Sequence, residues 1–586
     1  MSVLERINSC KDVKDLSLDE MNELASDIRK GILNRVNKIG GHLGPDLGIV
    51  EVTIALHYVF DCPYDQFVFD VSHQCYPHKM LTGRKDAFIN NEKLADYSGY
   101  FAPAESPCDP FIIGHTSTSI SLACGLAKAR DLRKEKFNVI ALIGDGSLSG
   151  GEAYEGFNNA AVLKSNFIAI VNDNEMSIAK NQGGLYKNLE ELRKTKGEAQ
   201  NNFFKTLGFD YIYIEEGNNI EVLINEFKKI KDIKRPIVVH IHTLKGKGYK
   251  PAEKYKENYH WQLPGFMDKK QNKKVDFNQT YESITTDFLL RKKMEGEHIA
   301  VIIPATPGAV GFSEEFRKAM GDNYTDTGIA EEHAIAYASA LARGGAKPVL
   351  AILSSFVQRT YDQLSQDLAL NNSPATILVY WGAISNADCT HLGVFDIPLI
   401  SNIPNIVYLS PTNKEEYLAM LEYSINQESH PTVIRVPFGT LRATGIKDKT
   451  DYSILNKFKM NKKGSAVAII AAGNFYALGE EVSKLLEEKY DIHPTLINPC
   501  FLSGVDCDML NKLKLNHKLV ITLEDGVISG GFGEKISRFY SSSDMKVLNF
   551  GADKVFTDRI ALDELYNKYH LTKELIVEDI IKILEK

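Results

Sequence analysis

Residues 144–174 read GDGSLSGGEAYEGFNNAAVLKSNFIAIVNDN, and this stretch decides the fold of the first part of the chain. It follows one apolar run and contains a second at Phe167–Val171. It therefore predicts a strand–loop–helix–strand unit whose two loop ends meet at one sheet edge. At that edge, Asp145 and Asn174 offer oxygen ligands for a hard divalent cation. Gly-Asp-Gly alone is also typical of a tight turn, but the polar run NDNEM at 172–176, directly after a strand, favours a cation site.

The composition is that of an ordinary globular protein and disfavours several classes of function. Its 586 residues predict about three or four domains. Hydrophobic residues make up 44% of the chain and charged residues 25%, both ordinary values for a folded protein. The formal net charge of −8 gives no reason to expect nucleic acid or an anionic membrane as a partner. No apolar run approaches the roughly 18 residues that span a bilayer.

The N-terminal sequence and the cysteines indicate a reducing compartment. The first twenty residues, MSVLERINSCKDVKDLSLDE, are polar and mixed in charge, which is not the pattern of a secretory signal. The cysteines are scattered and none forms a C-x-x-C pair, so the sequence indicates neither a zinc site nor a disulfide framework. We therefore expect a cytoplasmic protein.

Predicted strands alternate with predicted helices along the whole chain, which indicates three α/β domains with mostly parallel sheets. A polar, Lys-rich linker starts at about residue 251, and the helix near the N-terminus begins at a capping box formed by Ser17 and Glu20. The expected domains are 1–270 (with the linker), 271–445 and 446–586. Further predicted elements are the helices Ile49–Phe60, Ser117–Arg130, Glu331–Arg343, Phe356–Leu370 and Glu480–Tyr490, and the strands Asn138–Ile143, Pro236–His242, His298–Pro304, Lys347–Leu353, Ala375–Tyr380, Thr432–Val436, Ala466–Ala472 and Lys518–Leu523.

Several short motifs, taken together, resemble one family. They are GGHLG at 40–44, DVSHQCYPHK at 70–79, GHTSTSIS at 114–121, KGKGY at 245–249, IAEEH at 329–333 and SFVQRTYD at 355–362. With the loop region described above, they resemble the 1-deoxy-D-xylulose-5-phosphate synthase family of the transketolase superfamily. The resemblance runs nearly from end to end of the chain, and the combination is far more specific than any one motif.

This resemblance implies both an architecture and a reaction. The fold would be transketolase-like and thiamine diphosphate-binding, with a diphosphate-binding domain, a pyrimidine-binding domain and a C-terminal domain. The implied cofactors are thiamine diphosphate and Mg2+, and the implied assembly is a homodimer. In the implied reaction, pyruvate loses carbon dioxide and the remaining two-carbon unit joins D-glyceraldehyde 3-phosphate. The expected partners are therefore small molecules, pyruvate and an aldehyde.

The resemblance also assigns the cofactor site. Glu331 would bind the far nitrogen of the pyrimidine ring, so that the cofactor's own amino group becomes the base. Each of three residues also has a structural alternative. Glu331 could be a solvated glutamate at a helix start, and Phe356 could be an ordinary core aromatic. Lys245 could belong to a solvated basic loop. The implied metal ligands are Asp145, Asn174 and the backbone carbonyl of Met176. The implied cofactor-binding residues are His73, Gly114, His115, Thr116, Gly146, Ser147, Asn174, Lys245, Tyr249, Glu331 and Phe356.

Histidines from separate segments are implied to surround the cofactor and the substrates, where neutral imidazoles suit proton transfers to and from carbonyl groups. A structural role for the set is the alternative. The histidines concerned are His42, His73, His115, His260 and His391, whereas His57, His78 and His333 are expected to be structural. The implied catalytic residues are Glu331, His42, His73, His260, His391, Asp388 and Arg359.

The chain departs from the family pattern where the phosphate of the acceptor would bind. Trp381 and Phe438 stand where the family has two arginines, and Leu353 stands where it has a tyrosine. Two lost bidentate contacts, each about 1.5–3 kcal/mol, should weaken a phosphorylated acceptor by orders of magnitude. Aromatic side chains would suit a less charged or bulkier aldehyde. A different alignment of the loop before Asp388 is the alternative for Trp381, but not for the Val-Pro-Phe-Gly turn at 436–439.

We therefore expect a thiamine diphosphate-dependent transferase that forms a 1-deoxy-ketose from decarboxylated pyruvate and an aldehyde, with an acceptor that need not be D-glyceraldehyde 3-phosphate. One alternative is transketolase-type transfer of a ketol unit from a sugar phosphate, which would release no carbon dioxide from pyruvate. The other is a cofactor-binding regulatory protein without turnover. The retained Glu331, Asp145 and Asn174 argue against this second alternative.

Overall fold

A computed structural model describes residues 2–268 and 280–585 of the chain. The chain forms two compact units: unit 1 comprises Met1–Lys274 and Gly328–Ala330, and unit 2 comprises Val275–Thr327 and Glu331–Lys586. The predicted boundary between residues 270 and 271 falls outside the described residues. The three domain ranges therefore stay predictions.

Unit 1 is built on a five-stranded parallel sheet and a separate two-stranded antiparallel pair. Its strands are β1 (Gly41–His42), β2 (Gln66–Phe69), β3 (Val139–Gly144), β4 (Phe167–Asp173), β5 (Asp210–Ile214), β6 (Pro236–His242) and β7 (Trp261–Gln262). The order in the parallel sheet is β2-β3-β4-β6-β5, and β1 pairs with β7. Every residue of β4 is buried, as expected for a central strand covered on both faces.

The helices of unit 1 begin and end at recognisable local signals. Ser17 accepts a hydrogen bond from the backbone of Glu20, and the Glu20 side chain returns to the Ser17 backbone, so the predicted capping box is present. That helix ends at Gly40, which has a φ of 80°. The α-helices are Val3–Arg6, Leu18–Ile39, Gly44–Gly48, Val50–Val59, Tyr76–Lys79, Asp86–Ile89, Ser119–Arg133, Gly151–Ala160, Gly184–Lys194, Phe203–Leu207, Ile220–Ile230 and Lys250–Lys254. Cys10–Asp15 and Asp145–Ser149 are 3-10 helices, and Met80–Arg84 is a π-helical turn.

Unit 2 contains two sheets. The six-stranded sheet is entirely parallel, and its strands are β8 (Ile299–Ile303), β9 (Tyr324–Asp326), β10 (Lys347–Leu353), β11 (Thr376–Tyr380), β12 (Val407–Leu409) and β13 (Thr432–Arg435), in the order β12-β13-β11-β10-β8-β9. The five-stranded sheet consists of β14 (Lys459–Lys462), β15 (Ala466–Ala471), β16 (Thr495–Asn498), β17 (His517–Val527) and β18 (Lys546–Ala552), in the order β14-β16-β15-β17-β18. Its β14–β16 pair alone is antiparallel. The predicted α/β class with mostly parallel sheets is confirmed.

One buried hydrophobic cluster joins the two sheets of unit 2. It includes Ile352 and Val379 of the first sheet and Ile470, Ile497 and Val520 of the second. Because they share this core, both sheets belong to one compact unit. The α-helices of unit 2 are Tyr281–Met294, Glu314–Met320, Glu331–Arg343, Tyr361–Gln363, Asp396–Ile400, Lys414–Asn426, Tyr476–Tyr490, Cys507–Leu513, Phe532–Tyr540, Leu562–Lys568 and Lys573–Leu584.

The predicted single helix Phe356–Leu370 is wrong. The segment consists of a 3-10 turn at Val357–Thr360, a short α-helix at Tyr361–Gln363 and a π-helical turn at Leu364–Ala369. The first break lies at Thr360, whose φ of −104° and ψ of 12° depart from α-helical values.

Candidate active site

In unit 1, the two loops predicted to bind a cation leave neighbouring strands at the same sheet edge. Strands β3 and β4 are adjacent and parallel, with Gly144 opposite Asn172. A Cβ atom on Gly146 would lie 2.8 Å from the Cβ of Ser177 and 2.9 Å from its Cα. The two loops therefore touch, and only glycine leaves room for this approach.

The polar atoms at this edge are of the kinds that a cation site requires. Asp145 is 1% exposed and accepts a hydrogen bond from Asn181 Nδ2 at 2.7 Å. Burial, and then the neighbouring Asp173, raise the pKa of Asp145 well above its usual range. Asn174 Oδ1 and Asn181 Oδ1 are buried and have no hydrogen-bond partner among the described residues. A carboxyl group and unsatisfied amide oxygens fit a hard cation, which would stabilise all of these groups.

Asn181 was missed by the sequence analysis, because it belongs to no motif and follows no strand. Tyr186 was missed for the same reason, although its hydroxyl donates to the carbonyl oxygens of Asp145 and Gly146, both at 3.1 Å. Met176, the third predicted ligand, forms an isolated antiparallel bridge with Lys180. The described residues contain no group of three His, Cys, Asp or Glu side chains placed to hold a metal. The predicted ligands would not form such a group, because they are one carboxylate, one side-chain amide and one backbone carbonyl.

Asp173 stabilises the second loop through contacts with His240 and Arg193. Its carboxylate lies 2.9 Å from His240 Nε2 and also accepts a hydrogen bond from Arg193. Burial acts to raise the pKa of Asp173, but the contacts with His240 and Arg193 outweigh it and lower the pKa to about 2. Asp173 is therefore a fixed anion directly before Asn174.

A third loop, which carries Gly114, His115 and Thr116, is tied to the first. The buried carboxylate of Asp70 accepts hydrogen bonds from the backbone of Ser117 at 2.8 Å and Ser119 at 3.0 Å. The Ser117 hydroxyl donates to the carbonyl oxygen of Ser147 at 2.8 Å. The predicted diphosphate-binding residues of these two loops are thereby held together, with His115 half-buried among them.

Three of the predicted catalytic histidines form one cluster, which we call the histidine cluster: His42, His73 and His260. The ring centroids of His42 and His73 are 4.7 Å apart, and that of His260 lies 5.5 Å from the first and 5.7 Å from the second. The pairing of β1 with β7 places His42 opposite Trp261, which brings the linker to this cluster. Tyr100, which the sequence analysis missed, lies 5.9 Å from His42. Burial, and then Lys245, hold the pKa of His260 well below its usual value.

Lys245 and Tyr249, on the predicted closing loop, have different surroundings. Lys245 is buried, with Nζ 3.1 Å from His260 Nδ1, so the alternative of a solvated basic side chain is wrong for this residue. Tyr249 is half-buried and its ring packs against Tyr259 at 5.8 Å and Phe266 at 6.2 Å.

In unit 2, the predicted acidic residue is a buried carboxyl group at the start of a helix. Glu331 is 4% exposed, and its Oε2 lies 3.6 Å from Arg359 Nη1 without a hydrogen bond from the described residues. Burial raises the pKa of Glu331 to about 7, and Arg359 only partly opposes this shift. A carboxyl group with this pKa can share a proton with a ring nitrogen near neutral pH.

Phe356, His391 and Asp388 form a second group in unit 2. The ring centroids of Phe356 and His391 are 5.8 Å apart, and His391 Nδ1 lies 3.4 Å from Asp388 Oδ1. Asp388 also accepts a hydrogen bond from the backbone of Thr390 at 3.0 Å. Burial acts to raise the pKa of Asp388, but the contacts with His391 and Thr390 lower it to about 2.

The residues predicted to depart from the family pattern lie at or near the ends of neighbouring strands of unit 2. Trp381, which follows β11, is 45% exposed with a φ of 61°, and Phe438, shortly after β13, is 47% exposed. Leu353, by contrast, is buried. The nearby cation Arg435 is buried, and its Nε lies 2.7 Å from Asp396 Oδ2. Its Nη2 donates to the carbonyl oxygen of Asp525 at 2.6 Å.

Comparison with known proteins identifies the class of enzyme. A family described as 1-deoxy-D-xylulose-5-phosphate synthase matches residues 4–201 and 192–243. The transketolase pyrimidine-binding domain matches 280–443, and the transketolase C-terminal domain matches 456–576. The fold and the matched domains define a transketolase-type transferase.

Full-length relatives narrow the class to one family. The 1-deoxy-D-xylulose-5-phosphate synthase of Clostridium tetani is 35% identical over an alignment of 628 positions, which covers 100% of each chain. That of Dictyoglomus thermophilum is 37% identical over 622 residues, which cover 100% of this chain and 99% of the relative. The transketolase structure of Campylobacter jejuni is 16% identical with a TM-score of 0.45, covers 97% of this chain and 100% of its own, and adds nothing to the assignment. The chain belongs to the 1-deoxy-D-xylulose-5-phosphate synthase family, and the predicted resemblance is confirmed.

No helix within the described part of the chain is long and apolar enough to cross a membrane. The cytoplasmic location stays a prediction.

Proposed function

We propose that this protein uses thiamine diphosphate and Mg2+ to condense a two-carbon unit from decarboxylated pyruvate with an aldehyde, giving a 1-deoxy-ketose. The proposal rests on the loops that follow β3 and β4 in unit 1, together with the family to which the chain belongs. There, Asp145 accepts a hydrogen bond from the Asn181 amide, and the side-chain oxygens of Asn174 and Asn181 have no partner among the described residues. We further propose a homodimer, as the family resemblance implies.

In this proposal, Asp145, Asn174 and the carbonyl of Met176 bind Mg2+. The missing Cβ of Gly146 and the loop tie between Ser117 and Ser147 support a diphosphate-binding role for backbone groups at this edge. The residues proposed to bind thiamine diphosphate are His73, Gly114, His115, Thr116, Gly146, Ser147, Asn174, Lys245, Tyr249, Glu331 and Phe356. When bound, the cofactor supplies the carbon nucleophile that the side chains of this protein lack.

Proton transfer is proposed for side chains of both units. In unit 1, His260 is buried with a lowered pKa, so it is a neutral hydrogen-bonding group at neutral pH. In unit 2, Glu331 would share its proton with the pyrimidine ring, and Arg359 would orient its carboxyl group. The proposed set of catalytic residues is Glu331, His42, His73, His260, His391, Asp388 and Arg359.

We propose that the acceptor aldehyde carries less charge than a phosphorylated sugar. Support comes from the half-exposed Trp381 and Phe438 and from Arg435, whose guanidinium is already bound to Asp396 and to the backbone of Asp525. Arg435 therefore does not replace the arginines that are absent at positions 381 and 438. An apolar surface rewards burial of an uncharged substituent and offers nothing for a phosphate.

The experiment is a steady-state assay of the full-length protein with pyruvate, thiamine diphosphate and Mg2+. Carbon dioxide release and ketose formation are measured with D-glyceraldehyde 3-phosphate, with D-glyceraldehyde and with a bulkier apolar aldehyde. We expect pyruvate-dependent carbon dioxide release and a kcat/KM for the phosphorylated aldehyde no higher than for the uncharged ones. A KM for D-glyceraldehyde 3-phosphate of about 1–100 μM, with the highest kcat/KM of the three, would reject the acceptor proposal. No carbon dioxide release, with turnover of a ketose phosphate donor, would favour transketolase-type transfer.

A further inference from the structure

Lys245 is a buried amine whose described hydrogen-bond partners carry no negative charge. It is 1% exposed, and its Nζ donates to the carbonyl oxygen of Ser177 at 2.6 Å and lies 3.1 Å from His260 Nδ1. Burial lowers its pKa to about 7. Burying an amine without a carboxylate at hydrogen-bond distance costs free energy, so the position of this side chain calls for an explanation.

The surroundings of Lys245 fix its direction. The backbone of Gly44 donates to the carbonyl oxygen of Tyr259 at 2.8 Å, and Gly246 donates to that of Gly44 at 2.9 Å. A Cβ atom on Gly44 would lie 3.4 Å from the Cγ of Lys245. The lysine stem therefore passes over a glycine, in a place where three chain segments are joined by backbone hydrogen bonds.

The contact with His260 has a consequence for the position of its ring proton. Below its pKa of about 7, Lys245 is an ammonium group, which donates hydrogen bonds and accepts none. When it donates to Nδ1 of a neutral imidazole, the ring proton must be on Nε2. We propose that Lys245 is a positioning residue that holds His260 in the Nε2–H tautomer, so that His260 offers a hydrogen-bond donor within the histidine cluster. The catalytic use of that donor rests on the proposed function, whereas the tautomer itself does not.

The same amine links His260 to the loop that carries the proposed metal ligands. Ser177, whose carbonyl oxygen accepts from Lys245, touches Gly146 and follows Met176 in the chain. Lys245 thus sets the position of the loop and the tautomer of the imidazole together.

The direct test is nitrogen-15 NMR of the full-length, cofactor-free protein with labelled histidine rings, at about pH 6, where the Lys245 amine is protonated. The His260 signals are assigned by their loss in His260→Gln. We expect the Nε2–H tautomer in the wild type and a mixture of tautomers in Lys245→Met, which keeps the length of the side chain but not its donors. Lys247→Met is the matched control, because Lys247 lies in the same loop and binds Glu51 and the backbone of Asn218 instead. An Nδ1–H tautomer in the wild type would overturn the proposal, and so would an unchanged tautomer in folded Lys245→Met.

Steady-state kinetics provides the second test. We expect Lys245→Met to lower kcat about 10–100-fold, with the KM for pyruvate changed by less than about threefold. Lys247→Met should lower neither kcat nor the KM for pyruvate. His260→Gln should retain more turnover than His260→Asn, because its amide nitrogen reaches the position of Nε2. Equal loss of kcat in both lysine variants would contradict the proposal. A wild type without turnover would contradict the proposed function, while the NMR result would still decide the tautomer.

Discussion

The carboxyl edges of the two parallel sheets differ in how their polar groups are satisfied. At the β3–β4 edge of unit 1, Asn174 Oδ1 and Asn181 Oδ1 have no partner among the described residues. At the β11–β13 edge of unit 2, the cation Arg435 is bound by Asp396, and the aromatic Trp381 and Phe438 are half exposed. The first edge therefore has polar atoms available for a charged ligand, whereas the second has apolar surface.

In the proposed function, the carboxyl edges of the two sheets bind different ligands. Parallel sheets place ligand sites at the carboxyl ends of their strands, and the loop residues decide what binds there. In this family member, the residues proposed for the cofactor and the metal follow the predicted family pattern, while Trp381 and Phe438 are predicted to stand where the family has two arginines. Acceptor selection can thus change while the cofactor chemistry is retained.

The largest expected effect on turnover is that of a substitution at Glu331, which lies outside both compared edges. This substitution tests whether the cofactor chemistry is retained. We expect Glu331→Gln to lower kcat by about 10²–10⁴-fold, because an amide cannot share a proton with a ring nitrogen. Steady-state turnover of pyruvate measures this, and Glu332→Gln, at the next position of the helix, is the control. Retention of more than about a tenth of wild-type kcat would remove Glu331 from the catalytic set.

The next effect restores a charge at the apolar edge. Phe438→Arg should raise kcat/KM for D-glyceraldehyde 3-phosphate by about 10–100-fold, because one charge-assisted contact is worth about 1.5–3 kcal/mol. The kcat/KM for unphosphorylated D-glyceraldehyde in the same variant is the internal control and should not rise. If the phosphorylated aldehyde gains nothing, position 438 does not face the acceptor.

A smaller effect is expected at the polar edge. Asn181→Ala removes the amide that binds Asp145, and we expect the Mg2+ concentration for half-maximal activity to rise about tenfold. Gln182→Ala, at the adjacent exposed position, should leave it within about twofold. A Mg2+ titration with equal midpoints for both variants would show that Asn181 does not support the metal ligands.

The smallest effect concerns stability and pH. The pKa of Glu331 is raised from its ordinary value of 4.5 to about 7, so the folded protein binds more protons than the unfolded chain between these values. Stability should therefore fall as the pH rises from about 4.5 to 7, by on the order of 1–3 kcal/mol. Thermal unfolding of the cofactor-free protein should show a Tm that falls about 2–4 °C more than that of Glu331→Gln over this range. Parallel curves for the two proteins would mean that the carboxyl group is not buried as described.

Sequence patterns predicted the elements that depend on local signals. The capping box at Ser17 and the strand Pro236–His242 are found as expected. The strand pair that carries the cation loops is also found, because an apolar run on each side of a Gly-Asp-Gly turn leaves few alternatives.

Other features depend on tertiary contacts that no local pattern encodes. Asn181 and Tyr186 reach Asp145 and its backbone only after the chain has folded, and Tyr100 reaches His42 in the same way. The break in the predicted helix Phe356–Leu370 lies where the dihedral angles of Thr360 leave the α-helical region, which the local sequence does not indicate.

The most direct test of the central claim is calorimetric titration of thiamine diphosphate into the metal-free, full-length protein, with and without Mg2+. The account predicts that Mg2+ tightens binding to the wild type by at least about tenfold, which is about 1.4 kcal/mol, and that Asp145→Asn loses this dependence. Equal affinity of the wild type with and without Mg2+ would contradict it, and so would an Asp145→Asn variant with the full dependence.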